Sequence, residues 1–479
     1  MTSQHRVLCL ALVLAGCATG PAPEAPSAPA TAQFKETPPG WVAAAPADLF
    51  ERGPWWTLFG DPALDTLVPR VQVSNQNIAA AAAAYAQARA LVREQRAALF
   101  PSLSLSAGAS RTGIGSSSTA SGTTTSARRG TNLQLGLDAG WELDLWGRIG
   151  NTVAAAGARA QASAADLAAA TLSAQAQFVT DYLSLRESDA EIALLTTTIE
   201  GYTRSLQIAQ NRYDVGVAPK SDVLQAQTQL ANAQSDRAGL VRQRAQLEHA
   251  MAVLAGAAPA QFDLPPGDWN STTVPGAPVG VPSTLLQRRP DIASAERNVA
   301  AANAQIGVAR AAWFPAITLS ASASQGGATV ADLFSLPATT WSLGIALAQT
   351  LFDAGARTAR VDEARAAWEQ SVAQYRQTVL TAFQDVEDQL VAARVLEEQQ
   401  ALRRTASAAA DQTEQQVLNR YRAGQVGYTD VVAAQVSALN ARRALLQAAS
   451  SRQASAVALI QALGGGWDVS RMSDTTASR

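Results

Sequence analysis

Two stretches of the chain, 102–142 and 316–351, alternate apolar and polar side chains with a period of two. In the first, Leu103, Leu105, Ala107 and Ala109 interleave with Ser104, Ser106, Gly108 and Ser110, and a return run sets Leu133, Leu135, Leu137, Ala139 and Trp141 against Gln134, Gly136, Asp138, Gly140 and Glu142. The second repeats the pattern with Ile317, Leu319, Ala321 and Ala323, then Trp341, Leu343, Ile345 and Leu347. Such alternation predicts β-hairpins with one apolar and one polar face. Each run is roughly nine to twelve residues, the length a tilted strand needs to cross a bilayer. Phe100, Trp141, Trp313, Phe314 and Trp341 sit at the run ends, where membrane strands carry aromatic residues.

Elsewhere the period is that of helices. Ser74–Phe100 and Asp291–Phe314 read as Ala-rich helices stopped by Pro101 and Pro315. Gly147–Arg212 and Gly355–Arg422 contain no proline, and a helix of that length runs about 100 Å. Their larger apolar residues follow three-four spacing, as in Ile192, Leu195, Ile199, Tyr202, Leu206, Ala209 and Tyr213, or Trp368, Val372, Tyr375, Val379, Ala382 and Val386, which predicts helix–helix packing. Gly216 and Gly424 suit left-handed helix ends, and Ser221-Asp222 and Thr429-Asp430 are expected to cap returning helices over 220–255 and 429–463.

The chain is written twice. Asn77-Ile78 through Ser106 aligns with Asp291-Ile292 through Ser320 at an offset of 214, whereas Arg212-Tyr213-Asp214-Val215-Gly216 aligns with Arg420-Tyr421-Arg422-Ala423-Gly424 at 208. The first half therefore carries six extra residues, placed by composition in the Ser/Thr/Gly-rich stretch Gly113–Gly130, which reads as a flexible connection. The expected organisation is a signal peptide at 1–16, an extended segment at 17–62, a first repeat at 63–256, a Pro/Gly-rich linker at 257–282, a second repeat at 283–463 and a flexible tail at 464–479. Four membrane strands cannot close a barrel, and an open sheet edge in lipid leaves backbone groups unpaired. Several copies must combine, and since an eight-stranded barrel is filled by its own side chains, a twelve-stranded trimer is the smallest ring with a hole.

Composition narrows the function. No apolar run past residue 20 exceeds about Ile78–Tyr85, well short of the ~20 residues of a spanning helix. The net charge of −2, which becomes −3 once the first sixteen residues are removed, gives no reason to expect nucleic acid as a partner. Arg6, the apolar Val7–Ala15 and Leu14-Ala15-Gly16-Cys17 resemble a bacterial lipobox, which implies cleavage before Cys17 and a covalent lipid on it; Ala18 in place of Asp favours the outer membrane. Cys9 leaves with the signal, so no free thiol or disulfide is expected, and His249 is the only histidine after cleavage. No Gly-x-Ser-x-Gly, phosphate loop or His/Cys cluster occurs, so neither enzyme activity, a metal nor a cofactor is expected.

Trp141-Glu142-Leu143-Asp144-Leu145-Trp146-Gly147-Arg148, Gln287-Arg288-Arg289-Pro290-Asp291-Ile292 and the paired Arg-Tyr-x-x-Gly turns resemble the outer-membrane factor family, the exit ducts of tripartite drug-efflux and secretion systems. The resemblance spans about Trp55 to Leu463 and implies an α+β membrane protein: a homotrimer with a 12-stranded barrel in the outer membrane and a long helical periplasmic tunnel. It implies a periplasmic adaptor protein and an inner-membrane pump (RND, MFS or ABC type) as partners. The turns at Gly216, Val217, Gly424 and Gln425 become adaptor-facing tips. The family's aperture residues, a large apolar side chain and an acid four residues on, correspond here to Thr429 and Ala433, a departure. Asp222 and Asp430 are the nearest acids that could ring a cation-preferring aperture, with Thr429, Tyr428 and Lys220 as neighbouring candidates. The function implied is efflux of drugs or other small solutes; a type I protein-secretion duct and a non-conducting lipid-anchored coiled-coil spacer are the alternatives. The cargo is not written in the sequence.

Overall fold

The structure, a computed structural model, describes residues 27, 33–36, 54–114, 117–118, 124–125, 128–270, 273–275, 288–334 and 339–467. The signal segment and Cys17 lie outside the described residues. The chain forms two compact units that cut across the sequence repeats. One holds residues 85–162 and 295–375, the other 28–84, 163–294 and 376–479.

In the first unit, strands β1 (Ser102–Ile114), β2 (Arg128–Leu143), β3 (Ala316–Gly327) and β4 (Thr339–Ala348) form one antiparallel sheet in chain order. Register joins the apolar series of all four strands: Leu105 faces Leu137, Leu137 faces Ala323, and Ala323 faces Trp341. Because side chains alternate, the serine- and glycine-rich series shares the opposite face. The stretch Gly113–Gly130 is not simply a loop. β1 continues through Ile114, β2 begins at Arg128, and Ser117–Ser118 pairs with Thr124–Thr125 between them. Its Thr and Ile residues suit a pleated strand, so part of the extra length extends the first hairpin.

Helix α3 (Arg148–Asp214) follows β2 through a turn built from the Trp141–Arg148 motif. The Asp144 carboxylate accepts the Ile149 and Gly150 N–H groups at 2.9 and 2.6 Å, and Glu142 holds Arg148 at 2.9 and 2.7 Å through two hydrogen bonds. Trp146 donates to the Pro315 carbonyl at 2.7 Å and stacks on Phe314 at 4.9 Å; Trp141 donates to the Leu99 carbonyl at 3.0 Å. The motif is thus a strand-to-helix junction whose polar groups serve the chain's own geometry. The second repeat starts α6 (Ala356–Arg422) similarly, with Asp353 accepting the Gly355 and Arg357 N–H groups and Arg357 lying 4.9 Å over Trp313.

The second unit is helical. The helix expected over Ser74–Phe100 is α2 (Gln76–Ala97); a further helix, α1 (Pro62–Ser74), precedes it, and the two meet at Asn75. The Asn75 side chain accepts from the Asn77 and Ile78 N–H groups at 2.9 and 3.1 Å and donates to the Leu254 carbonyl at 2.8 Å, and so caps α2 and separates it from α1. Asp61 accepts from Ala63 N–H at 2.9 Å and Pro62 opens α1. Leu64, Val68 and Val71 are buried with Phe178, Tyr182, Leu185, Met251, Leu390 and Ile460. The stripes read from spacing pack as expected, with Leu195, Tyr202, Ala209, Val379, Ala382 and Val386 buried. Tyr213 does not: it is 40% exposed, because α3 ends one residue later.

Helices α4 (Lys220–Leu254), α5 (Pro290–Ala311) and α7 (Tyr428–Ala462) complete the set. The linker's described part is strapped down. Arg186 donates to Asp189 at 3.0 Å and to the Pro265 carbonyl at 2.9 Å, Arg244 reaches Asp189 at 2.6 Å, and Glu248 accepts Leu264 N–H at 2.6 Å. Gln453, 1% exposed, accepts from the Trp269 indole at 2.9 Å and donates to the Asn270 and Thr273 carbonyls at 2.7 and 3.0 Å. Gly464 to Trp467, expected to start a flexible tail, form a turn seated against the chain at Arg288 and Leu172; residues 468–479 lie outside the described residues.

Candidate functional site

The site residues read from the sequence gather at the two interhelical turns of the helical unit. Each long helix ends in a Schellman turn. Val217 N–H reaches the Arg212 carbonyl at 2.9 Å and Gly216 N–H the Tyr213 carbonyl at 2.8 Å; Gln425 and Gly424 repeat this to Arg420 and Tyr421, both at 2.9 Å. Gly216 and Gly424 have φ of +76° and +75°, where a side chain is strained. Gly216, Val217, Gly424 and Gln425 are all exposed, and Val215 and Val217 present apolar surface at 72% and 63% exposure.

The returning helices begin otherwise than expected. Their caps are Pro219 and Gly427, neither with a side-chain cap bond, and Lys220 and Tyr428 are the first helical residues. Ser221, Asp222, Thr429 and Asp430 lie inside the first turn and do not cap, because the chain enters the helix directly from an extended Pro or Gly. The two acids instead sit where the positive end of the helix dipole favours a carboxylate. Asp430, Thr429 and Lys220 are exposed and Asp222 is half-buried. Tyr428 is buried, its ring edge-on to Tyr421 at 5.4 Å. Ala433 is exposed and carries no bulk that could plug an opening.

Reasoning from sequence missed the pair that joins the two turns. Arg212, from the first repeat, donates to the Tyr421 carbonyl at 2.9 Å and lays its guanidinium 4.7 Å from the Tyr421 ring centre, in the second repeat. Both belong to the Arg-Tyr-x-x-Gly copies, but each copy contributes a different member, which an alignment of repeats hides. Around them Ala209, Ala226, Tyr428 and Val431 form a small core. Burial pushes the Tyr428 hydroxyl up to about 12, helped by Tyr421, Tyr202 and Asp222, and raises that of Tyr421. No group of three or more His, Cys, Asp or Glu that could hold a metal occurs among the described residues.

The sheet unit supplies a second surface with two distinct chemistries. On the apolar face Leu103, Leu105, Trp341, Leu343, Ile345 and Leu347 are 65–76% exposed. On the other face the hydroxyls of Ser102, Ser104 and Ser106 donate to β2 carbonyls, and Ser322–Ser342 and Ser324–Thr340 pair at 2.9 and 2.8 Å. Among the described residues strands β1 and β4 each have one neighbour, leaving two open edges. A large exposed apolar sheet face beside a wet one, with open edges, is unstable for a lone protomer in water and unsatisfied for a lone protomer in lipid.

The family model described as outer membrane efflux protein matches residues 67–257 and 281–465. The chain is 33% identical over 461 residues to the antibiotic efflux pump outer membrane protein ArpC of Pseudomonas putida, covering 95% of this chain and 94% of that one. It is 30% identical over 462 residues to the cation efflux system protein CusC of Escherichia coli, covering 96% and 98%. The solved outer-membrane channel OprN superposes with a TM-score of 0.84 at 31% identity, covering 94% of this chain and 99% of that one.

Proposed function

Because the chain belongs to the outer membrane efflux protein family, whose members named above are outer-membrane efflux proteins, we propose that it is the exit duct of a tripartite efflux system for small solutes. It is an outer-membrane channel of the efflux class, projecting into the periplasm. In our reading three copies join sheet edge to sheet edge, apolar faces in lipid and polar faces around the conduit. A periplasmic adaptor engages the tips at Gly216, Val217, Gly424 and Gln425 and connects them to an inner-membrane pump. Asp222 and Asp430 line the mouth and favour cations. Cys17 carries a lipid that anchors the extended N-terminal segment. The protein catalyses nothing; its work is to position a hole.

The observation that carries this reading is the four-stranded sheet itself, with one face apolar from Leu103 to Ala109 and across its neighbouring strands, and two edges unpaired among the described residues. A coiled-coil spacer needs no such sheet. Small-solute efflux is favoured over polypeptide secretion by the relatives' names: ArpC exports antibiotics and CusC cations. The test is twofold. The detergent-purified protein should have the mass of three protomers, and cells lacking it should accumulate a pump substrate until it is restored. A monomeric mass, or accumulation unchanged by its loss, overturns the proposal. Labelling with a palmitate analogue that survives in Cys17→Ser would overturn the lipid site.

A further inference from the structure

The apolar series of the sheet ends in a charge. Along β1 it runs Leu103, Leu105, Ala107, Ala109 and then Arg111, which is exposed and has no hydrogen-bond or ion-pair partner among the described residues. Its cross-strand partner is Thr131. No Asp or Glu occupies this series in any of the four strands; Asp138 and Glu142 belong to the polar series.

Position along the strand gives the charge a meaning. Ser102 faces Gly140, so Trp141 lies level with Pro101 at the end where β2 leads into α3. From residue 101 to Arg111 is ten steps of about 3.3 Å, or about 33 Å, and a tilt of about 40° reduces this to about 25 Å. That is the height of the outward apolar band of an outer-membrane barrel. Trp141 marks one rim and Arg111 the other. An arginine on the lipid side is costly in the middle of the band and tolerated at its edge, where the surrounding chemistry is that of head groups.

Resting on the reading that this face lies in lipid, we infer that Arg111 docks a phosphate-bearing lipid head group in the outer leaflet, its guanidinium fork matching the phosphate oxygens. The match is chemical. A guanidinium keeps its charge at any physiological pH and presents paired N–H donors to a phosphate, and no carboxylate on this face competes for it.

The test uses the full-length protein in detergent, titrated with bis-phosphorylated lipid A and with its dephosphorylated form, bound lipid being read by native mass spectrometry. The wild type should prefer the phosphorylated lipid by about tenfold, the scale of one charge-assisted hydrogen bond. Arg111→Gln should lose that preference while binding the dephosphorylated lipid as before, and Arg111→Lys should keep part of it. An undiminished preference in Arg111→Gln overturns the inference and leaves the channel reading intact. Failure of the wild type to bind either lipid or to insert into liposomes overturns both.

Discussion

Leu105 and Ser104 are neighbours in β1 that face opposite sides of the sheet, so arginine at each in turn separates a lipid face from a wet one. Leu105 is 71% exposed in the protomer and lies near the middle of the Trp141–Arg111 span, opposite Leu137. If that face met water, Leu105→Arg would change stability by no more than about 0.5 kcal/mol, as for an ordinary surface site. In lipid the same change near the bilayer midplane costs about 2–4 kcal/mol. Ser104 faces Asp138 across the ladder, where an arginine meets an opposite charge and gains about 0.2–1 kcal/mol. The two variants should thus differ by about 3 kcal/mol, roughly 150-fold in the folding equilibrium. Urea titration of protein folded into liposomes, followed by tryptophan fluorescence, measures this. Variants within about 0.5 kcal/mol of each other would refute the assignment of the faces, since the fold alone treats the two positions alike.

Three further outcomes follow from the helical unit. Asp189→Asn leaves the buried Arg186 and the half-buried Arg244 short of their shared carboxylate and should cost about 3–5 kcal/mol and speed hydrogen exchange at residues 262–267, whereas Asp411→Asn, in a more exposed pair with Arg442, should cost under about 1 kcal/mol; equal losses would sink the buried-clamp argument. At Gly256, with φ of +69°, an added Cβ would sit 2.0 Å from the Ser74 carbonyl oxygen, while at Gly216 nothing lies within 4 Å. Gly256→Ala should therefore shift the denaturation midpoint more than Gly216→Ala, which bears only left-handed strain of about 1–2 kcal/mol. Tyr428 ionises near 10.0 when unfolded and is pushed up to about 12 by burial in the folded tip, so its contribution is complete below pH 10 and is lost as pH rises toward 12. Hydrogen exchange at residues 212–217 should quicken across that window and do so less in Tyr428→Phe; a curve unchanged by the variant contradicts the packing.

Much of this was legible because backbone rules leave marks in sequence. Leu103 to Ala109 and Trp341 to Leu347 declare a strand by alternation alone, and Gly216 and Gly424 mark helix ends because few other residues adopt positive φ. The duplication made the two hairpins confirm each other. What stayed hidden depends on contacts between distant residues. The break at Asn75 needs the Leu254 carbonyl, 179 residues away, and the strap over Leu264 and Pro265 needs Arg186, Arg244 and Glu248 from two helices. Asp222 and Asp430 look like caps by residue type, yet the chain enters each helix three residues earlier than a cap there would require. Tyr428 looks like a lining candidate by position, but its ring is turned into the protomer against Tyr421. The Arg212–Tyr421 pairing joins unlike members of two like motifs, so no single copy of the motif foretells it.

The central claim, that copies of this chain enclose a conduit, is met most directly by single-channel recording of the purified mature protein in a planar bilayer, with its mass measured on the same sample. We predict a trimer giving small, discrete, cation-preferring openings, with the preference reduced by Asp222→Asn and Asp430→Asn. A folded protein that inserts yet passes no current, or one whose mass is that of a single protomer, would contradict the account.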